Sequence, residues 1–210
     1  VVVLAIKPQV LCPVLEELGG HVDPKALVVS IVAGAKMDTI RRMLETPAVV
    51  RVMPNTPAQI GMGISVWAAT EATSERQHTQ ALTLLRALGE EVYVDDESYL
   101  DMATALSGTG PASVFLLMEA MVDAGVHLGF SRHVSERLVI ETLRGSIEYA
   151  RQSPRHPATL RNQVTSPGGT SAEARYHLEK GGLRTVLSRA IWAAYQRSRS
   201  LGSQAQESKT

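Results

Sequence analysis

Between residues 1 and 95, short runs rich in β-branched apolar residues alternate with segments whose apolar residues recur at helical spacing. The runs are VVVLAI at 1–6, LVVSIV at 27–32, VVRVM at 49–53, SVWAA at 65–69 and EVYV at 91–94; helical spacing occupies 10–18, 37–44 and 75–88. Unbroken apolar runs predict strands buried on both faces, and the intervening helices supply the cover, as in successive βαβ units. This part of the chain is therefore predicted to be α/β, with a largely parallel sheet.

Nothing beyond residue 95 reads as a strand. Residues 111–128 are apolar nearly all round (Ala112, Val114, Phe115, Leu116, Leu117, Met118, Met121, Val122), which predicts a helix buried on several sides, with another subunit as a candidate partner. Val134, Leu138, Val139, Leu143 and Ile147 form one helical stripe, and Val186, Leu187, Ala190, Ile191 and Ala194 another. The predicted fold class is a partial Rossmann-like parallel sheet (residues 1–96) followed by an all-α helical domain (97–202), with a polar tail at 203–210 expected to fray. No internal repeat is visible.

Lysine plus arginine equals aspartate plus glutamate at 21 each in 210 residues, so no net field draws nucleic acid or an anionic membrane. The single cysteine, Cys12, excludes an internal disulfide framework and a cysteine-based zinc site, and suits a cytoplasmic protein. No signal peptide is seen, and no apolar run approaches the roughly 20 residues that span a bilayer. The chain opens inside an apolar strand run, without methionine, turn or charged lead, so residues upstream of Val1 are expected to be missing.

Three strand ends carry turn chemistry: Lys7-Pro8, Ala33-Gly34, and Pro54-Asn55-Thr56-Pro57. In an open parallel sheet such ends border the ligand crevice. A dinucleotide also needs G-x-G-x-x-G after the first strand, and this chain lacks it: Gly61-Met62-Gly63 and Gly108-Thr109-Gly110 have no third glycine. Either no dinucleotide binds, or its phosphate turn lies upstream. In Val164-Thr165-Ser166-Pro167-Gly168-Gly169, the glycines leave backbone amides uncovered, and Thr170-Ser171-Ala172-Glu173 matches a capping box that opens a helix. The helix should stop at Lys180-Gly181-Gly182. Two readings stand: a capped turn between helices, or a small site for a carboxylate. Ser107-Gly108-Thr109-Gly110-Pro111 reads as a closely packed helix junction with Pro111 at the first helical position, or alternatively as a part of the site wall or the subunit contact. Glu97 and Asp101, four apart, read as a solvated helix face. The six histidines lack metal-ligand spacing, and no metal is expected.

In order and spacing, AIKP, SIVAG, VMPNTP, LSGTGPA, DAGVHLGF and VTSPGGTSAEA resemble the pyrroline-5-carboxylate reductase family over nearly the whole chain. The resemblance implies a Rossmann domain binding NADPH or NADH and a helical domain interleaving with its twin in a cytoplasmic homodimer, with larger oligomers of dimers in some members. The active site lies at the dimer interface, where hydride reduces 1-pyrroline-5-carboxylate to L-proline, the last step of proline biosynthesis. Carried over, Ala5, Ile6, Lys7, Pro8, Ala33, Gly34, Asn55, Thr56, Pro57 and Gln163 would meet the cofactor. Glu97, Val164, Ser166, Gly168, Gly169, Thr170 and Ser171 would meet the substrate, with the Ser171 hydroxyl reaching the ring nitrogen as the catalytic residue. The chain departs from common family patterns in having Ser171 after Thr170, SGTGP in place of SGSGP, and Gln163 where asparagine is usual.

The expected missing segment, roughly 60–70 residues from the size of two βαβ strands and their turns, would hold the pyrophosphate seat, so the fragment itself is expected to be inactive. Alternatives are another imine or hydroxyacid reductase of the same architecture, against which residues 111–128 offer only Glu119 and Asp123 as charged groups, or a non-catalytic dimerisation module.

Overall fold

A computed structural model describes the backbone of residues 1–207 and the side chains of residues 1–201. The apolar runs form strands β1 (Val2–Leu4), β2 (Val28–Ser30) and β3 (Val49–Met53), with helices α1 (Leu11–Leu18) and α2 (Met37–Leu44) between them. Strands β1, β2 and β3 are mutually parallel. Side chains alternate across the sheet. Val28 and Val49 pack with Leu11, Leu15, Ile40 and Leu44 on one face, while Val29 and Val50 pack with Ala81 and Leu85 on the other. Being covered twice, β2 is fully buried, which is why its sequence shows no polar alternation.

The sheet continues through β4 (Gly63–Ala69) and β5 (Gly89–Tyr93), joined by α3 (Glu75–Arg86), in the order β1-β2-β3-β4-β5. The pair β3–β4 is antiparallel and the pair β4–β5 parallel. Residues 54–62 hold only a short 3-10 turn between β3 and β4, too little for the dozen or so residues of a parallel crossover. Helix α3 opens with a capping box in which Ser74 and Gln77 bond reciprocally.

All remaining described elements are helical: α4 (Tyr99–Ala103), a π turn (Thr104–Gly108), α5 (Gly110–His127), α6 (Arg132–Gln152), α7 (Pro157–Gln163), α8 (Thr170–Lys180) and α9 (Leu183–Glu207). The chain divides into two units, one of Val1–Pro111 with the residues from Ala190 onward, the other Ala112–Arg189.

Several expectations need correction. Only Val122 of α5 is buried; Phe115 and Leu116 are 57% and 67% exposed. The stripe residues Val134, Leu138, Ile147, Val186 and Leu187 are likewise exposed. By length and composition the helical stretch Tyr99–His127 could cross a membrane, although Gly, Ser and Thr punctuate it and leave no unbroken apolar run. The backbone of residues 202–207 continues α9. Residues 208–210 of the expected tail lie outside the described residues.

Candidate active site

The register Leu4↔Ser30↔Arg51 aligns the first three strands side by side, so the chain leaves all of them at one edge of the first unit. After β1 come Ala5, Ile6, Lys7 and Pro8, with Lys7 extended and Pro8 opening a single 3-10 turn. After β2, the buried Ser30 hydroxyl accepts from the Val32 amide at 3.3 Å, and the Ala35 amide donates to the Val32 carbonyl at 3.2 Å. Within that turn Ala33 is half-buried and Gly34 buried, with φ +75 at Gly34, a conformation that costs a side-chain-bearing residue energy. After β3, Asn55 Oδ1 accepts from the Ile64 amide at 3.0 Å and its carbonyl from the Ala58 amide at 3.0 Å. These bonds fix Asn55 and leave Thr56 exposed and Pro57 half-buried. Nine of the sequence-predicted positions thus stand on one edge, where an open α/β sheet binds ligands.

Next to this edge lies a cluster that the sequence reading missed. Arg51 is the one charged residue of β3, and its side chain is 5% exposed. It donates to Glu97 Oε1 at 2.9 Å and to Asp101 Oδ1 at 3.3 Å. Glu97 Oε1 also accepts from the Met37 amide at 2.8 Å, and Asp101 Oδ1 accepts from the Ser198 hydroxyl at 3.0 Å. The expectation of a solvated acidic face at 97 and 101 is therefore corrected: both carboxylates turn inward to a buried guanidinium. An arginine inside a valine-rich strand run was the available signal, because a buried cation needs paired anions. A cleft of about 440 Å³ opens beside the cluster, with Gly34, Lys36, Arg51, Asp101 and Gln196 in its wall. Just before the pair, Asp96 is held below the usual carboxylate range by the backbone amide and the side chain of Ser98.

In the second unit, Gln163 ends α7 and Val164 is its exposed C-cap. Ser166-Pro167-Gly168-Gly169 then forms a tight turn closed by the Gly169 amide on the Ser166 carbonyl at 3.1 Å. Pro167 and Gly168, with φ +71 at the glycine, occupy the positions that a type II turn reserves for them. Helix α8 begins at Thr170 with Gly169 as N-cap and no side-chain cap. The predicted capping box is not formed: the chain enters the helix one residue early, so Thr170 is the first helical residue rather than the cap. The consequence is chemical. The first amides of α8, at Thr170 and Ser171, carry no capping oxygen and sit at the positive end of an 11-residue helix. Ser166, Thr170 and Ser171 are exposed around them. At the other end, Gly181 caps the helix and Gly182 takes φ +72.

The sequence model of the family described as pyrroline-5-carboxylate reductase dimerisation matches residues 97–201. A pyrroline-5-carboxylate reductase of Pseudomonas aeruginosa is 43% identical over 97% of this chain and 75% of its own length, and one of Synechocystis is 40% identical over 96% and 75%. The crystal structure of a Plasmodium falciparum pyrroline carboxylate reductase with NADP bound superposes with a TM-score of 0.90 at 32% identity, covering 95% of this chain and 76% of that one.

Proposed function

The chain belongs to the pyrroline-5-carboxylate reductase family, and on that premise we propose that it serves the reduction of 1-pyrroline-5-carboxylate to L-proline, the last step of proline biosynthesis. The observation that carries the reading is the turn at 166–169 feeding an uncapped helix N-terminus. An anionic carboxylate there gains backbone donors and the favourable end of the helix dipole. The amides of Thr170 and Ser171 bind the substrate carboxylate in this reading, the Gly169 amide being spent on the Ser166 carbonyl that closes the turn, and Val164, Ser166, Gly168 and Gly169 shape the loop around it.

The ring nitrogen is protonated when the imine is electrophilic. The Ser171 hydroxyl accepts a hydrogen bond from that N–H and orients the ring. When the ring carbon gains hydride, the C=N π pair becomes the lone pair of the nitrogen, which already carries its proton. No separate acid is required, so the protein contributes chiefly position.

A nicotinamide cofactor, NADPH or NADH, supplies the hydride when bound. The fit lies in the strand-end turns, where Ala33, a glycine at φ +75 and the prolines Pro8 and Pro57 present little side-chain bulk to a flat ring. Ala5, Ile6, Lys7, Asn55, Thr56 and Gln163 complete the proposed cofactor contacts. The glycine-rich phosphate turn of a dinucleotide site is not found in residues 1–210.

A dimerisation domain points to homo-oligomerisation, and we place a homodimer, with larger assemblies built from it, on the exposed apolar residues of α5. The nucleotide-binding part is assigned to residues 1–96 and the helical part to 97–202, in a cytoplasmic enzyme. The test is oxidation of NADPH by the full-length protein with and without 1-pyrroline-5-carboxylate. Substrate-dependent turnover yielding proline is expected, and its absence overturns the reading.

A further inference from the structure

Arg51 stands on β3 between two strands, in register with Ser30 of β2 and Ala68 of β4. A strand paired on both sides gives its side chain a fixed root. The guanidinium then divides its donors, Nη1 to Glu97 Oε1 at 2.9 Å and Nη2 to Asp101 Oδ1 at 3.3 Å. Asp101 Oδ1 also receives the hydroxyl of the buried Ser198 on α9 at 3.0 Å, which braces the fork from its far side.

Glu97 is used unequally at its two oxygens. Oε1 takes two donors, Arg51 Nη1 and the Met37 amide at 2.8 Å. Oε2 takes none from the described residues, and the side chain is 24% exposed. A carboxylate clamped at one oxygen and open at the other is an acceptor ordered in advance of a ligand. A glutamate left free would surrender rotamer freedom on binding one.

We infer that Arg51 is a positioning residue for the reduction: it holds Glu97 by Oε1 so that Oε2 stays fixed for the cationic ring of the substrate. The inference rests on the proposed function and on the family placement of Glu97 beside the substrate, and it adds what keeps that carboxylate in place. The protonated imine carries its charge at the ring nitrogen, whose N–H is assigned to Ser171. Glu97 contributes a held negative charge, which favours the cationic, electrophilic form of the ring where water is partly excluded. Lysine cannot take the place of Arg51 in this role, because an ammonium is a point charge where the planar fork reaches two carboxylates.

The test measures Kd by calorimetry on the full-length, NADP-loaded protein for L-proline and for cyclopentanecarboxylate, which keeps the ring and the carboxylate and lacks the nitrogen. Glu97→Gln should raise the Kd of L-proline about tenfold, the loss of one charge-assisted contact. Arg51→Lys, which keeps the net charge and loosens the hold, should raise it about fivefold. In Arg51→Lys/Glu97→Gln the Kd of L-proline should lie within about twofold of that in Glu97→Gln alone, because Arg51 acts through Glu97. Cyclopentanecarboxylate should bind all three variants within about twofold of wild type, a selectivity that general damage to the fold would not give. An Arg51→Lys variant that weakens both ligands equally, weakens neither, or weakens L-proline as much again in the Glu97→Gln background overturns the inference. Should Arg51→Lys fail to fold, Arg51→Gln/Asp101→Asn, which removes the cation together with one of its anions, takes its place, and an unchanged Kd for L-proline there overturns the inference. Binding is read without turnover, so a protein that shows the expected ligand pattern but no reduction strikes the functional reading alone.

Discussion

A Cβ added at Gly169 would lie 2.5 Å from Ser166 Oγ and 3.3 Å from the Ser166 carbonyl. The first contact is relieved by rotating a serine hydroxyl, and the second only by opening the turn. Gly168 poses a different demand: no atom lies within 4 Å of its added Cβ, yet its φ is +71. Gly169→Ala is therefore expected to leave stability nearly intact and to raise the substrate KM about threefold by moving Ser166. Gly168→Ala should destabilise the loop by about 1–2 kcal/mol. Urea melts and substrate titrations separate the two; a Gly169→Ala enzyme with wild-type KM would show that the turn geometry is not used.

The exposed faces of Phe115, Leu116 and Leu117 are expected to be the subunit contact. Each such side chain withdrawn from water is worth about 1.5–3 kcal/mol, and a charge placed there reverses the sign. Phe115→Asp should shift the assembly toward monomer in light scattering at micromolar protein. An unchanged mass would move the interface elsewhere.

Arg51 is buried between two carboxylates whose side chains are 24% and 22% exposed. Replacing it by methionine leaves two neighbouring half-buried anions without their cation, with an expected cost of about 3–5 kcal/mol in chemical denaturation. Adding Glu97→Gln and Asp101→Asn to Arg51→Met should recover most of that loss. A single variant as stable as wild type would mean that the pairs have no energetic role.

Arg184 hydrogen-bonds Glu179 at 2.8–3.0 Å across the Gly181-Gly182 turn, and this bond holds the Glu179 carboxyl below its usual range. A carboxylate whose folded pKa is depressed contributes stability that is present above its unfolded pKa and is lost as pH falls through the folded value. Arg184→Ala should therefore return the Glu179 titration, followed by carbon NMR of the carboxyl, upward to the ordinary glutamate range. Both side chains are substantially exposed, so raising the salt concentration should shrink the difference.

The strands were legible because burial on both faces writes an unbroken apolar run, and β3 at 49–53 was read with the bounds that the structure shows, as was helix α2 at 37–44 from its helical spacing. The direction of β4 was not legible, since it follows from connection length and not from composition. Glu97 and Asp101 were read as a solvated pair because local spacing carries no information about a partner near residue 51. The 166–171 loop illustrates the same limit: the turn at Pro167-Gly168 follows from local chemistry, but whether Thr170 or Gly169 caps α8 depends on one backbone conformation. The apolar character of α5 was plain in sequence, but its exposure was not, because composition alone does not say what packs on a helix.

The central claim, that the start of α8 holds the substrate with the Ser171 hydroxyl on its ring nitrogen, is tested most directly by kcat/KM of the full-length protein for 1-pyrroline-5-carboxylate with Ser171→Ala and Ser171→Thr. A bond to a charged nitrogen is worth about 1.5–3 kcal/mol, so Ser171→Ala should lose about ten- to a hundredfold while Ser171→Thr, which keeps the hydroxyl, stays near wild type. Equal kcat/KM for wild type and Ser171→Ala would contradict the account.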